Sequence, residues 1–152
     1  MAAQIPNRNT SKYAGQYARA FDPQRVAQIF EDSYRIALSS KSPDTAGDRF
    51  ALAVEAYHQL MSMGPPDDMR RSVQRAMEAL VDLFPTQVMA NEALGLRERA
   101  RKLKTPRKQL ELLQRAREIV DRGLTEHSSS SVLQAAAVEL RTEISKAESA
   151  VT

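Results

Sequence analysis

The sequence predicts an all-α protein of about six amphipathic helices. Along most of the 152 residues, apolar side chains recur at steps of three and four, which is the spacing of one face of an α-helix. Glycine is infrequent, at five residues, while alanine, leucine, arginine and glutamate are common, and this composition favours helix over sheet. Because the links between the apolar stripes are short, we expect consecutive antiparallel hairpins, stacked as an open superhelix or closed as a compact bundle.

The first helix is predicted over residues 23–40. Asp22 is a good N-cap, and Pro23 suits the first helical position because its missing amide would have no helical partner there. The break that ends this helix is Ser42-Pro43-Asp44. Its apolar stripe consists of Val26, Ile29, Phe30, Tyr34, Ala37 and Leu38.

The second helix is predicted within residues 50–66, where Gly64 can adopt the left-handed conformation that ends a helix. Its stripe consists of Phe50, Ala53, Val54, Tyr57, Leu60 and Met61. The third helix begins at Pro66, with Asp67 and Asp68 near its positive end, and Pro85 is predicted to stop it. The third stripe consists of Met69, Val73, Ala76, Met77, Leu80 and Phe84.

Three further helices are predicted after Pro85. Thr86 is the expected cap of the fourth, Thr105-Pro106 opens the fifth, and Ser131 and Gln134 have the capping-box spacing that starts the sixth. The stripes are Met89, Ala93, Leu96, Ala100 and Leu103 in the fourth helix, Leu110, Leu113, Ala116, Ile119, Val120 and Leu124 in the fifth, and Leu133, Ala136, Ala137, Leu140, Ile144 and Ala147 in the sixth.

Part of this pattern resembles tetratricopeptide-type repeats. Ala53 and Tyr57 have the Ala-x3-aromatic spacing, with Leu60 and then Pro65 following, and this run is similar to the second helix of such a repeat. The Leu94-Gly95 pair resembles the Leu-Gly pair of the first helix. The resemblance implies stacked antiparallel helix pairs that bind a partner on a concave face.

Composition and length predict an N-terminal arm over residues 1–21 and a single helical-hairpin domain over 22–152. The absence of cysteine excludes disulfides and thiolate chemistry and fits a reducing compartment. The N-terminus has no charged-then-apolar signal segment, and no apolar run approaches the length of a membrane span. We therefore expect a cytoplasmic protein with no membrane partner.

The N-terminal arm contains three aromatic residues at steps of four. Tyr13, Tyr17 and Phe21 would line one face of a short helix. Such a face either packs back on the body of the protein or anchors the arm in the groove of a partner.

Few residues are arranged for catalysis or metal binding. Glu55 and His58 form a Glu-x-x-His step, which is half of a bundle di-metal site, but the sequence has no second such step. The hydroxyls of residues 128–131 directly precede a predicted helix, and helix capping explains them better than nucleophilic catalysis. We expect no catalytic, cofactor-binding or metal-binding residues.

The basic run of residues 97–108 is the strongest outlier in the charge pattern. It holds seven basic residues and one acidic residue, whereas the net charge of the whole chain is only +3. Cations stabilise a helix C-terminus, so a solvated helix end is one interpretation, and recognition of phosphates or of an acidic protein is the other. The candidate partner-binding cations are Arg97, Arg101, Lys104, Arg107 and Lys108.

Together these features predict a non-enzymatic protein–protein interaction or adaptor module that binds a protein partner without a cofactor. The alternative is a nucleic-acid-associated helical protein that uses the basic face at 97–108. No aromatic residue interleaves those charges, which favours the protein partner.

Overall fold

The computed structural model describes residues 22–151 and forms five α-helices. They are α1 (Pro23–Ser39), α2 (Pro43–Ser62), α3 (Asp67–Arg101), α4 (Pro106–Glu126) and α5 (Ser131–Val151). No strand occurs within these residues, so the prediction of an all-α protein is confirmed. The predicted arm, including the short aromatic helix, lies outside the described residues.

Local signals set the ends of the first two helices. The Asp22 carboxylate accepts a hydrogen bond from the Gln24 amide at 3.1 Å, as predicted, and Ser42 does the same for Thr45 at 3.3 Å. A proline follows each cap. Gly64, after α2, has a φ of +65°, the left-handed conformation that the sequence predicts there.

The cap of α5 differs from the prediction by one residue. Ser131 is the first helical residue, and the preceding Ser130 accepts a hydrogen bond from the Leu133 amide at 3.2 Å. Gln134 does not complete a capping box with Ser131; its side chain donates to the Ser128 carbonyl at 2.8 Å. Four serines precede or begin this helix, and the cap is the serine directly before the first helical residue. Its side chain can accept from the amide three positions ahead, in the first turn.

The prediction that Pro85 stops a helix is wrong. α3 runs through Pro85 without a break, and the whole helix is 35 residues long, about 52 Å at 1.5 Å per residue. The predicted third and fourth helices are therefore one, and the described residues hold five helices. Thr86 caps nothing; its hydroxyl donates to the Leu83 carbonyl at 3.2 Å inside the helix.

The position of Pro85 on the helix explains why it is tolerated. A proline removes one amide and crowds the carbonyl four residues earlier, here that of Val81. Pro85 is exposed and Val81 is 55% exposed, so water can reach the carbonyl that lacks a helical donor. On both sides of Pro85 the helix is held by tertiary packing, which outweighs a local penalty of about 3 kcal/mol.

An N-terminal cluster of apolar side chains joins α1, α2 and the first half of α3. The rings of Phe50 and Phe84 stack with their centroids 4.4 Å apart, and the Phe30 ring contacts Tyr57 at 6.4 Å. These contacts connect α2 to each of its two neighbours. The buried members are Val26, Phe30, Ala37, Ala53, Ala56, Leu60, Val73 and Leu80.

A C-terminal cluster joins the second half of α3 to α4 and α5. At Gly123 the three helices approach so closely that an added Cβ would lie 2.8 Å from a Leu133 methyl and 3.1 Å from the Met89 sulfur. The buried members are Ala90, Ala93, Leu96, Ala100, Leu113, Ala116, Val120, Leu133, Ala136, Leu140, Ile144 and Ala147. These positions lie on the stripes predicted for the last three helices, with Ala90 in addition.

A buried asparagine connects the two clusters. Asn91 is 7% exposed, and its side-chain amide donates to the Leu38 carbonyl at 2.8 Å. Leu38 lies in the last turn of α1, where carbonyls lack a helical donor. The Asn91 oxygen in turn accepts from the Gln87 side chain at 2.9 Å. The end of α1 is thus fixed to the middle of α3.

Replacing Leu140 tests the C-terminal cluster. Leu140 is fully buried, so Leu140→Ala should lower the free energy of unfolding by about 2 to 5 kcal/mol through lost burial and a residual cavity. Val138→Ala on the same helix, where the side chain is 57% exposed, should change it by less than about 0.5 kcal/mol. Urea unfolding monitored by circular dichroism measures both, and equal losses would contradict this packing.

Replacing Pro85 tests the continuity of α3. Pro85→Ala restores the amide that the Val81 carbonyl lacks, and it should raise the free energy of unfolding by about 1 to 3 kcal/mol. Pro106→Ala is the matched control, because Pro106 is at the start of α4, where the missing amide costs nothing. A loss of stability in Pro85→Ala would instead mean that the two clusters require the bend that a proline imposes.

Candidate interaction surface

Two of the five candidate cations are engaged within the protein. Arg97 has a side chain only 16% exposed and pairs with Glu139 of α5. Arg101 binds both oxygens of the Glu143 carboxylate, with Nε 3.3 Å from Oε1 and a terminal nitrogen 2.9 Å from Oε2. Arginine holds a carboxylate in this forked geometry more specifically than lysine can. Both side chains therefore join α3 to α5.

The two ion pairs form a ladder because their spacing matches on both helices. Arg97 and Arg101 are four residues apart on α3, and Glu139 and Glu143 are four residues apart on α5, so each pair of like charges lies on one helix face. Nothing local in the sequence indicates this pairing, since 42 residues separate the partners. The ladder explains why these two arginines bind carboxylates of the same chain, although the sequence places them among the candidate partner-binding cations.

The ladder shifts the pKa of its groups. The hydrogen bond from Arg101, together with the positive charge of its guanidinium, lowers the pKa of Glu143 below the usual glutamate range, and the same bond raises the pKa of Arg101. Elsewhere on α3, the hydrogen bond from Lys41 lowers the pKa of Glu98. Both carboxylates are thus favoured in their charged form.

The other cations of the basic run are exposed. No ion pair joins them to a carboxylate anywhere in the described part of the chain. The turn that carries them is fixed by Gln109, whose side chain donates to the Leu103 carbonyl at 2.6 Å. These exposed cations are Arg99, Lys102, Lys104, Arg107 and Lys108.

A shallow depression of about 420 Å³ lies between the end of α3 and the start of α4. Arg99, Lys102 and Lys108 line it, with Leu103 and Leu112 supplying apolar contact. The single carboxylate in the lining is Glu111. A bound chain would therefore meet three cations around two leucine side chains.

A second depression of about 480 Å³ adjoins the first, since Arg99 and Lys102 line both. It adds the cations Lys41 and Arg115 and the carboxylates Glu92 and Glu98. Lys41 reaches this place because Gly95 has no side chain; an added Cβ would lie 3.3 Å from the Lys41 Cβ. We call the combined face the α3–α4 surface, defined by Lys41, Arg99, Lys102, Lys108 and Arg115.

The α3–α4 surface overlaps only in part with the candidates chosen from sequence. Lys108 is one of those candidates, whereas Arg99 and Lys102 belong to the same basic run but are not among the candidates. Lys41 and Arg115 carry no local signal, because the fold brings them to α3 from a loop and from α4. Lys104 and Arg107 are exposed at the turn. Tyr13, Tyr17 and Phe21 lie outside the described residues.

Glu55 and His58, which form the Glu-x-x-His step of the sequence, are both exposed on the surface of α2. His58 is exposed and meets the ring of its neighbour Tyr57 edge-on, with centroids 5.4 Å apart. Among residues 22–151, no group of three or more histidine, aspartate or glutamate side chains is arranged to hold a metal ion. The candidate site is the α3–α4 surface, which is lined by charged side chains and by Leu96, Leu103 and Leu112.

Comparisons with protein-family models, with curated proteins and with solved structures found no match to this chain. None of the five described helices combines the length and the apolar character that crossing a membrane requires.

The ladder predicts how stability depends on pH. Because folding lowers the pKa of Glu143, the pair stabilises the fold above the usual glutamate pKa of about 4.3, and this contribution is lost as the pH falls through the lower folded value. Glu143→Gln should therefore be less stable than the wild type at pH 7, and the difference should shrink towards pH 3.

Thermal unfolding between pH 3 and pH 7 measures this effect. Glu118→Gln is the matched control, because Glu118 is exposed on α4 and makes no ion pair with another described residue. A gap between Glu143→Gln and the wild type that stays constant across this pH range would show that the charge of Glu143 is irrelevant to the fold.

Proposed function

We propose that this chain is a non-enzymatic, cytoplasmic interaction or adaptor module that binds a protein partner at the α3–α4 surface. The supporting observation is the make-up of that surface: five cations, three carboxylates and exposed parts of leucine side chains line two adjoining depressions. Such a mixture suits a protein surface that offers acidic residues together with apolar and basic ones.

The mixture of charges favours a protein partner over nucleic acid. A phosphate backbone presents uniform negative charge, and Glu92, Glu98 and Glu111 would oppose it from within the surface. No aromatic side chain lines either depression, so bases would have no stacking platform. A protein can place its own cations opposite Glu92 and Glu111, which make no ion pair with another described residue.

Nucleic-acid association is the second candidate. It is favoured by the five exposed cations between residues 99 and 108 that have no carboxylate partner among the described residues. Five phosphate contacts would give a log-log salt slope of roughly −4 to −5. The two candidates thus differ in their salt dependence as well as in the identity of the partner.

The hairpin arrangement and the resemblance to tetratricopeptide-type repeats belong to the same proposal. In such an architecture, antiparallel helix pairs offer a rigid face on which a partner docks with little change in the backbone. The aromatic arm residues Tyr13, Tyr17 and Phe21 are a second contact region in this proposal.

The test is capture of partners from a lysate with and without nuclease, using the wild type and two triple variants. Arg99, Lys102 and Lys108 are replaced by glutamine in the first, which leaves the Arg97 and Arg101 ladder intact. The control replaces Arg25, Arg75 and Arg141, three exposed cations elsewhere that make no ion pair with a described residue.

A protein partner should survive nuclease, remain bound to the control and lose at least tenfold in affinity for the first variant. Nucleic-acid association is favoured instead if nuclease treatment abolishes partner capture and if the affinity for purified nucleic acid falls steeply with salt. Equal binding of a nuclease-resistant partner to all three proteins would remove the α3–α4 surface from the proposal.

A further inference from the structure

A groove of about 510 Å³ lies between α1 and the start of α3, and it shares no lining residue with the α3–α4 surface. Phe30 and Val73 form the buried part of its floor. Tyr34 and Met69 are half-buried beside them, and the centroids of the Phe30 and Tyr34 rings are 6.0 Å apart. We call this feature the α1–α3 groove, and its apolar lining consists of Ala27, Phe30, Tyr34, Met69, Val73 and Ala76.

Every charged residue in the lining of the α1–α3 groove is acidic. Glu31 belongs to the α1 wall and Asp68 to the α3 wall. Glu31 makes no ion pair with another described residue, and the fully exposed Asp68 carboxylate meets only Arg71 among them, at 3.9 Å. The α3–α4 surface differs, since cations outnumber carboxylates there. The charge of the groove therefore favours a positively charged occupant.

The walls of the groove determine the backbone form of its occupant. Both walls are α-helices, whose backbone groups are bonded within the helix apart from the amides of the first turn of α3. An extended segment would therefore lack the main-chain partners that a sheet edge provides, whereas a helix satisfies its own backbone groups.

The length of the groove matches two turns of a helix. The lining extends from Ala27 to Tyr34 on one wall and from Met69 to Ala76 on the other, about 10 Å along each helix at 1.5 Å per residue. A helix laid alongside presents side chains at i, i+4 and i+7 over the same length.

We propose that the α1–α3 groove binds an amphipathic helix of a partner protein, with apolar side chains at i, i+4 and i+7 and basic side chains on both flanks. The basic side chains pair with Glu31 on one wall and Asp68 on the other. The flexible thioether of Met69 adapts the floor to the apolar side chains. This is a second interaction surface, and it does not rest on the proposed function.

A designed peptide added to the full chain tests the proposal. It is about 14 residues long, so that it can form a helix, with leucines at i, i+4 and i+7, lysines on both flanks and alanines elsewhere. An acidic counterpart has glutamates in place of the lysines. We expect the basic peptide to bind about tenfold more tightly than the acidic one. It should shift the amide signals of Glu31 and Ser72, which line the groove, and leave that of Glu118 on α4 unchanged.

Three results would overturn the proposal. The basic peptide does not bind, its shifts lie outside the groove, or the groove signals already move with protein concentration before any peptide is added. The first result includes a groove that is filled by another part of this chain, and the last assigns the groove to a second copy.

Exchanging the charges across the contact distinguishes pairing at the rim from general attraction. In Glu31→Lys with Asp68→Lys, the preference should reverse, so that the acidic peptide binds more tightly than the basic one. Glu118→Lys with Glu126→Lys is the matched control, because it makes the same change in net charge at two exposed positions of α4 that form no ion pair with a described residue. A preference that does not reverse, or that reverses in both double variants, would contradict the proposal.

The apolar floor is tested with Ala76→Lys, which places a charge in the groove and should weaken binding of the basic peptide by about tenfold. Gln74→Lys is the matched control, since it makes the same charge change at an exposed position outside the lining, and it should leave the affinity nearly unchanged. A basic peptide with a central proline should also bind about tenfold more weakly, because it cannot form the helix. Equal effects of the two variants, or full binding of the proline peptide, would overturn the proposal.

Discussion

The structure depends on one unbroken helix that serves two apolar clusters. The first half of α3 packs with α1 and α2, and the second half packs with α4 and α5. Without α3, each cluster would contain only two helices. Pro85 lies between the two halves, and the helix persists there because packing on both sides outweighs the loss of one hydrogen bond at an exposed position.

Helical geometry also divides the basic run into two roles. Residues 97 and 101 lie one turn apart on the face that meets α5, where Glu139 and Glu143 take up their charge. Arg99 is about 200° around the helix from Arg97, at 100° per residue, and so lies on the opposite side, next to Lys41 and α4. One stretch of sequence therefore supplies both a link between helices and an exposed surface.

What the sequence predicted correctly is local. The stripes that include Val26, Leu60 and Leu140 are buried, and the signals at Asp22 and Gly64 act as predicted, because caps and periodicity involve residues within a few positions of each other. The continuity at Pro85 and the pairing of Arg97 with Glu139 could not be predicted in this way. Both depend on tertiary contacts that are distant in the sequence, as does the approach of Lys41 to Gly95.

The shared helix has a consequence for synthesis on the ribosome. The N-terminal cluster can close once α3 has emerged, but residues 102–151 take several seconds to follow at about 5 to 20 residues per second. A chain ending at residue 104 reproduces this stage, and hydrogen exchange should be slow before residue 85 and fast beyond it. Four positions of α3 that α4 and α5 cover in the complete fold are exposed at this stage. Three of them are alanines, whose side chain is a single methyl group, and this limits the apolar surface that the nascent chain exposes. These four positions are Ala90, Ala93, Leu96 and Ala100.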